Sequence, residues 1–105
     1  DGNTFIALVN REHPSGHPLA IVLGFSLEEL PGLMQWKMPR KGFYVTGLEP
    51  CTVVPTGREN LRKEGNLPML EGMNERSIRI EFEVLDSEDD IDALEEKSRA
   101  LSRSR

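Results

Sequence analysis

The residue best placed to do chemistry is Glu49, in the segment GFYVTGLEPCTVVPT at residues 42–56. Side chains alternate along a strand, so Glu49 should share a face with Gly47 and the aromatic Phe43. Gly47 leaves room for a ligand ring beside the carboxylate, and Pro50 is expected to end regular pairing. Such a carboxylate can act as a general base or accept a hydrogen bond from a sugar hydroxyl. The same residues also fit a solvated glutamate that ends a strand by chance, and the spacing alone favours this alternative.

Three further side chains are candidate substrate-binding residues. Trp36, the only tryptophan, can stack on the apolar face of a sugar, although its alternation with two methionines favours packing in a core. Arg58 and Asn60 follow Glu49 along the chain and can hydrogen-bond ligand hydroxyls or orient the carboxylate. Arg58 can equally pair with a neighbouring glutamate on the surface.

The other reactive residues favour no metal or cofactor site. His13 and His17 have the spacing of a helical metal pair, but the prolines at 14 and 18 exclude a helix, and no Cys or third His lies nearby. Cys51 has no sequence-local histidine to activate it, which predicts a buried or half-buried thiol. Because neither GxGxxG nor a Walker pattern occurs, nucleotide binding has no support. We expect neither metal nor cofactor.

Bulk composition limits the remaining classes. A chain of 105 residues suits one small domain, and its net charge of −5 argues against nucleic acid or an anionic membrane as a partner. A single cysteine excludes an internal disulfide and fits a reducing compartment, so a cytoplasmic location is predicted. The chain starts at Asp1 without a methionine or a leader, and we expect it to be cut from something longer.

Periodicity predicts the elements that position these residues. Strands are expected at residues 4–10, 19–25, 33–38, 43–48 and 77–85. A short helix is expected within residues 56–65, with a capping box at Thr56 and Glu59, and a terminal helix is expected after the cap Ser87. In the last strand, one face should be core: Ile78, Ile80, Phe82 and Val84. Five strands without alternating helices predict an all-β fold, an antiparallel β-sandwich with a C-terminal α-helix. The first two strands are apolar on both faces, so the remainder of a parent chain or another subunit should cover them.

A family resemblance adds to this interpretation. The run FYVTGLEPCTVVPTGRENLRKEGNLPMLEGMNERSIRIEFEVL resembles the C-terminal segment of aldose 1-epimerase (galactose mutarotase-like) proteins, in particular a branch whose strand ends in Gly-Leu/Ile-Glu-Pro. The preceding ELPGLMQWKM agrees with that pattern, and the resemblance covers residues 27–86. It implies that residues 1–105 are one domain that forms the C-terminal part of a larger galactose mutarotase-like supersandwich.

The resemblance also implies a function. In aldose epimerases a glutamate at this motif is the general base for the anomeric hydroxyl, and a histidine on an earlier strand protonates the ring oxygen. By this resemblance Glu49 is the catalytic base, and Trp36 and Arg58 are its neighbours in the sugar site. The family's histidines have no match here, and the residues after the Glu-Pro motif also differ, so the sugar and catalysis itself stay open. The alternatives are a non-catalytic carbohydrate-binding module and a structural segment that assembles with another chain.

Overall fold

The computed structural model describes residues 2–104. In chain order these residues form β1 (Asn3–Asn10), β2 (Leu19–Ser26), β3 (Gly32–Met38), β4 (Val45–Cys51), α1 (Arg58–Glu64), β5 (Glu81–Leu85) and α2 (Glu88–Arg103). One sheet has the strand order β1-β2-β5, and the other pairs β3 with β4. The predicted fold class is confirmed: the chain is built mainly of antiparallel β-sheet and has a C-terminal helix, as in a β-sandwich. Neither helix in residues 2–104 combines the length and apolarity needed to cross a membrane.

The chain divides into two compact units. The first contains residues 25–80 and the start of the chain up to residue 4, so it holds the β3–β4 hairpin and α1. The second contains residues 5–24 and the chain from residue 81 onward, so it holds most of the three-stranded sheet and α2.

The β3–β4 hairpin is the main element of the first unit. Its antiparallel register runs from Gly32 opposite Cys51 to Met38 opposite Val45. The prediction that pairing stops at Pro50 is wrong, because Pro50 is paired with Leu33 and the strand continues to Cys51. Proline is tolerated there because β4 pairs only with β3, so the missing N–H can face the unpaired side of the strand.

Helix α1 ends as predicted but begins differently. Gly65, at φ 74°, donates its backbone N–H to the carbonyl of Arg62 over 3.2 Å. That left-handed conformation suits glycine, which has no Cβ to clash. The capping box at Thr56 and Glu59 is wrong, since the helix starts after Gly57 without a side-chain cap.

In the second unit, β2 pairs antiparallel to β5, with Ala20 opposite Leu85 and Gly24 opposite Glu81. Ala20 and Val22 are buried, as is Ile91 of α2. The predicted cap of α2 is confirmed, because the Ser87 hydroxyl accepts a hydrogen bond from the Asp90 backbone N–H over 3.2 Å. The cap lies four residues before Ile91, and the helix starts directly after it at Glu88.

Strand β5 is shorter and more exposed than its alternation predicts. It begins at Glu81 rather than at residue 77, and the side chains expected to form core are exposed, to 65% for Phe82 and 54% for Val84. Ile78 and Ile80 are exposed as well. Alternation shows which face of the strand is apolar, but not whether another element packs on it. No element among the described residues buries this face.

Candidate functional site

The β3–β4 hairpin brings an aromatic ring and a carboxylate to one face. Trp36 lies opposite Gly47, and Met34 lies opposite Glu49. Residues directly opposite in an antiparallel pair share a face, and so do residues two apart on one strand. Trp36, Gly47 and Glu49 therefore point to the same side, as the alternation predicts for Gly47 and Glu49.

Gly47 provides the gap between the ring and the acid. A Cβ atom added at Gly47 would come within 2.9 Å of Glu49 Oε1, so the carboxylate leans over the space that a side chain would fill. Because the residue opposite Trp36 is Gly47, no side chain faces Trp36 from the neighbouring strand. We call the set Trp36, Gly47 and Glu49 the hairpin face.

The hairpin face is open to solvent. Trp36 is 49% exposed and Glu49 is also exposed, so the expectation that Trp36 packs in a core is wrong for the described residues. Two surface concavities, of about 690 Å³ at residues 69–76 and about 540 Å³ at residues 96–103, include neither residue. Among the described residues the arrangement is an exposed platform beside an acid. An exposed indole ring can stack on the apolar side of a flat ligand.

Hydrogen bonds on the opposite side of the hairpin hold Trp36 in position. The Gln35 amide donates to the Thr46 hydroxyl over 3.3 Å, and that hydroxyl donates to the Trp36 carbonyl over 2.9 Å. Both bonds cross from β3 to β4. They fit the register that places Trp36 opposite Gly47.

The Glu49 carboxylate has no hydrogen-bond or ion-pair partner among residues 2–104. An ionised carboxylate has about four acceptor positions on its two oxygens, and it donates none. All of these positions are available to hydroxyl groups of a ligand. The candidate base is therefore present and accessible.

Arg58 and Asn60 are not joined to this face. Both are exposed and lie in the first turn of α1, where the Asn60 amide donates to the Thr56 carbonyl over 3.1 Å. Within residues 2–104 Arg58 pairs with neither of the glutamates near it in sequence, and neither side chain contacts Glu49 by a hydrogen bond or ion pair. The structure therefore brings Trp36 and Glu49 together, and the roles of Arg58 and Asn60 stay predictions.

The histidines and the cysteine lie where the sequence places them. His13 is in the loop after β1, with Nδ1 2.8 Å from the Ser15 hydroxyl, and His17 is exposed in the same loop. Cys51 is a half-buried free thiol at the end of β4. In the part of the chain that the structure describes, no three His, Cys, Asp or Glu side chains converge as metal ligands.

The turn of the hairpin carries residues that were not predicted as functional. Arg40 and Lys41 lie in this turn, and Tyr44 follows with 75% of its surface exposed. Phe43, which alternation expects on the face of Glu49, precedes the first residue of β4 and is 71% exposed. The sequence does contain a sign of this cationic turn, a local excess of basic residues. The net charge of the whole chain is negative and does not reveal it.

A family model described as Domain of unknown function (DUF4432) matches residues 1–84, and the chain belongs to that family. The family is of the galactose mutarotase-like type, which confirms the coarser part of the predicted resemblance. No curated protein and no solved structure matches the chain significantly.

Proposed function

We propose that the protein binds a sugar on the hairpin face and that Glu49 acts as the general base in interconverting the anomers of an aldose. The observation that carries the proposal is the placement of the Trp36 ring and the Glu49 carboxylate on either side of the Gly47 gap. The family, which is of the galactose mutarotase-like type, supports a carbohydrate ligand.

The spacing of the two groups suits a pyranose. Trp36 and Glu49 are diagonal neighbours across the strand pair, a relationship that separates backbones by about 7–8 Å. A sugar ring stacked on the indole can therefore direct one hydroxyl to the carboxylate. The ring's C–H groups contact the aromatic face, and the hydroxyl donates to a carboxylate oxygen.

The reaction requires a base and an acid. Glu49 takes the proton of the anomeric hydroxyl, the C1–O5 bond breaks to give the open-chain aldehyde, and the ring oxygen receives a proton. Rotation about C1–C2 and the reverse steps give the other anomer. The resemblance assigns the protonation of the ring oxygen to a histidine on an earlier strand. His13 and His17 lie in a loop of the second unit and do not match that histidine.

One observation favours a second candidate, a non-catalytic carbohydrate-binding module. Residues 25–80, which form most of the first unit, contain no histidine, and Glu49 is exposed. A carboxylate without a partner acid can hold a sugar hydroxyl but gives little turnover, because each proton-transferring group contributes about 10²–10⁴-fold.

The rate of mutarotation of freshly dissolved aldoses, followed by NMR of the anomeric protons, distinguishes an epimerase from a binding module. For an epimerase, Glu49→Gln should lower the rate by about 10²–10⁴-fold, and Glu83→Gln, at an exposed glutamate of β5, should not. Equal rates for Glu49→Gln and the unchanged protein would remove Glu49 as the base.

Ligand-detected NMR on the same samples tests binding. Trp36→Ala should weaken binding of the sugar, and Tyr44→Ala, an exposed aromatic of the same hairpin, serves as the control. If the unchanged protein binds the sugar but does not accelerate mutarotation, and Trp36→Ala loses this binding, the protein is a binding module. Absence of sugar binding to the unchanged protein would refute both candidates.

A further inference from the structure

The β3–β4 hairpin is a positively charged segment of an acidic chain. From residue 30 to residue 48 there is no aspartate or glutamate, but there are three cations, Lys37, Arg40 and Lys41. The chain as a whole has a net charge of −5. The sign of the local charge at the hairpin is thus opposite to that of the whole molecule.

These three cations have no carboxylate partner among residues 2–104. Four other basic residues do have such partners, namely Arg11, Lys63, Arg99 and Arg103. An unpaired guanidinium or ammonium group retains all of its hydrogen-bond donors for an external anion.

The tip of the hairpin is close enough to Trp36 to share a ligand with it. The turn starts at Arg40, four residues after Trp36, and a strand advances about 3.3 Å per residue, so it begins about 13 Å from the Trp36 backbone. The long Arg40 side chain and a sugar that carries an anionic group can span this distance together. The Phe43 N–H donates to the Arg40 carbonyl over 2.8 Å, and Gly42 adopts φ 84°. Both features define a tight turn with Lys41 and Gly42 at its outer end and Arg40 directly before them.

We propose that the sugar is anionic, and that its phosphate or carboxylate group binds Arg40 and Lys41 while its ring stacks on Trp36. The inference rests on the proposed function, and adds the chemical class of the ligand. A guanidinium pairs with phosphate or carboxylate through charge-assisted hydrogen bonds, and an ammonium adds a point charge. A neutral aldose leaves both cations unused.

Fluorescence of Trp36 tests the inference directly, because Trp36 is the only tryptophan. The protein is titrated with an aldohexose, its 6-phosphate, its uronic acid and inorganic phosphate, at low and moderate salt. We expect the 6-phosphate or the uronic acid to bind about tenfold more tightly than the neutral sugar, with a preference that falls as salt rises. The stronger of the two identifies the anionic group.

Single-charge variants then locate the subsite. Arg40→Gln and Lys41→Gln should each remove most of the preference and leave binding of the neutral sugar unchanged. Arg62→Gln is the matched control, since Arg62 is exposed in α1 without an ion pair among the described residues.

Each other outcome overturns the inference in a distinguishable way. Equal affinities for neutral and charged sugars, unaffected by Lys41→Gln, would refute the anionic ligand and leave the proposed function standing. Inorganic phosphate that binds as tightly as the sugar phosphate would show that the sugar ring contributes nothing. Absence of binding by every sugar would refute the proposed function, and the inference with it.

Discussion

At the scale of single residues, the absence of a side chain at Gly47 determines where the Glu49 carboxylate lies. Gly47 is not in the left-handed region of φ, so its backbone conformation does not require glycine. The only neighbour that an added Cβ would displace is the end of the Glu49 side chain, at 2.9 Å. Glycine at this position therefore matters for the hairpin face more than for folding.

Gly47→Ala should leave stability almost unchanged and weaken sugar binding. The flexible carboxylate can move away from the new methyl group, but it then leaves the gap beside Trp36. Thermal unfolding and the fluorescence titration measure the two effects separately. Gly72→Ala is the control, because a Cβ at Gly72 meets nothing within 4 Å. Unchanged sugar affinity in Gly47→Ala would show that the gap is not part of the site.

Among the described residues of the second unit, Arg11 has the most ion-pair partners. It contacts three carboxylates of α2: Glu88, Asp92 at 3.0 Å and Glu95 at 2.8 Å. The hydrogen bonds that Arg11 donates to Glu95 and then to Asp92 raise the pKa of Arg11 well above its usual value. The contacts tie the loop after β1 to the first half of the helix.

Arg11→Gln should lower the melting temperature, and added salt should shrink the difference, because the side chain is 35% exposed and its ion pairs are screened. A basic group whose pKa is higher in the folded than in the unfolded chain stabilises the fold fully at every pH below the pKa of the unfolded chain. This contribution is lost only as pH rises through the pKa of the folded chain. The difference should therefore be constant from neutral to mildly alkaline pH. Arg62→Gln should show no comparable loss. A difference that does not respond to salt would contradict an electrostatic origin.

At the scale of elements, two of the three helix-end signals that act within a few residues predict the structure correctly, and the capping box at Thr56 and Glu59 does not form. The Ser87 cap and the glycine stop at Gly65 are both observed, because each depends only on the adjacent turn of helix. Features that depend on a distant partner were not predictable. Pairing at Pro50 depends on which side of β4 is occupied, and the exposure of Trp36 depends on whether anything covers the hairpin.

Ser87→Ala should destabilise α2 by about 1 kcal/mol, because the Asp90 N–H loses its side-chain acceptor. Chemical denaturation followed by circular dichroism measures this change. Ser98→Ala, at an exposed position within the same helix, should be neutral or slightly stabilising, since alanine is the better helix former. Equal effects of the two variants would indicate that the cap contributes nothing.

At the scale of the whole molecule, the candidate site lies within the first unit. Alternation along one strand predicts that Gly47 and Glu49 share a face, but the contribution of Trp36 comes from the register with β3, which sequence alone does not fix. The cationic turn was missed for another reason. A net charge of −5 for the chain argues against anionic partners in general, although residues 30–48 contain only basic charge.

The second unit leaves one face of its sheet without a cover. Lys97 of α2 lies 5.3 Å from the ring centre of Phe5, so the helix lies on the Phe5 side of β1 and Leu8 points to the other side by alternation. On β5, the exposed Phe82 and Val84 lie on the side opposite the buried Val22. A sheet that is apolar on both sides requires material on both. We expect a second copy or another part of the same protein to supply it, as the first two strands predict.

Phe82→Glu should therefore reduce self-association without reducing stability. Because Phe82 is 65% exposed, its replacement removes few contacts within the chain, while a carboxylate on the apolar side opposes burial against another surface. Sedimentation velocity and light scattering over a range of concentrations measure association, and thermal unfolding measures stability. Phe43→Glu makes the same substitution at a similarly exposed position in the first unit and should leave association unchanged. If residues 1–105 form a cooperative monomer at every concentration, the uncovered side of the sheet requires no partner.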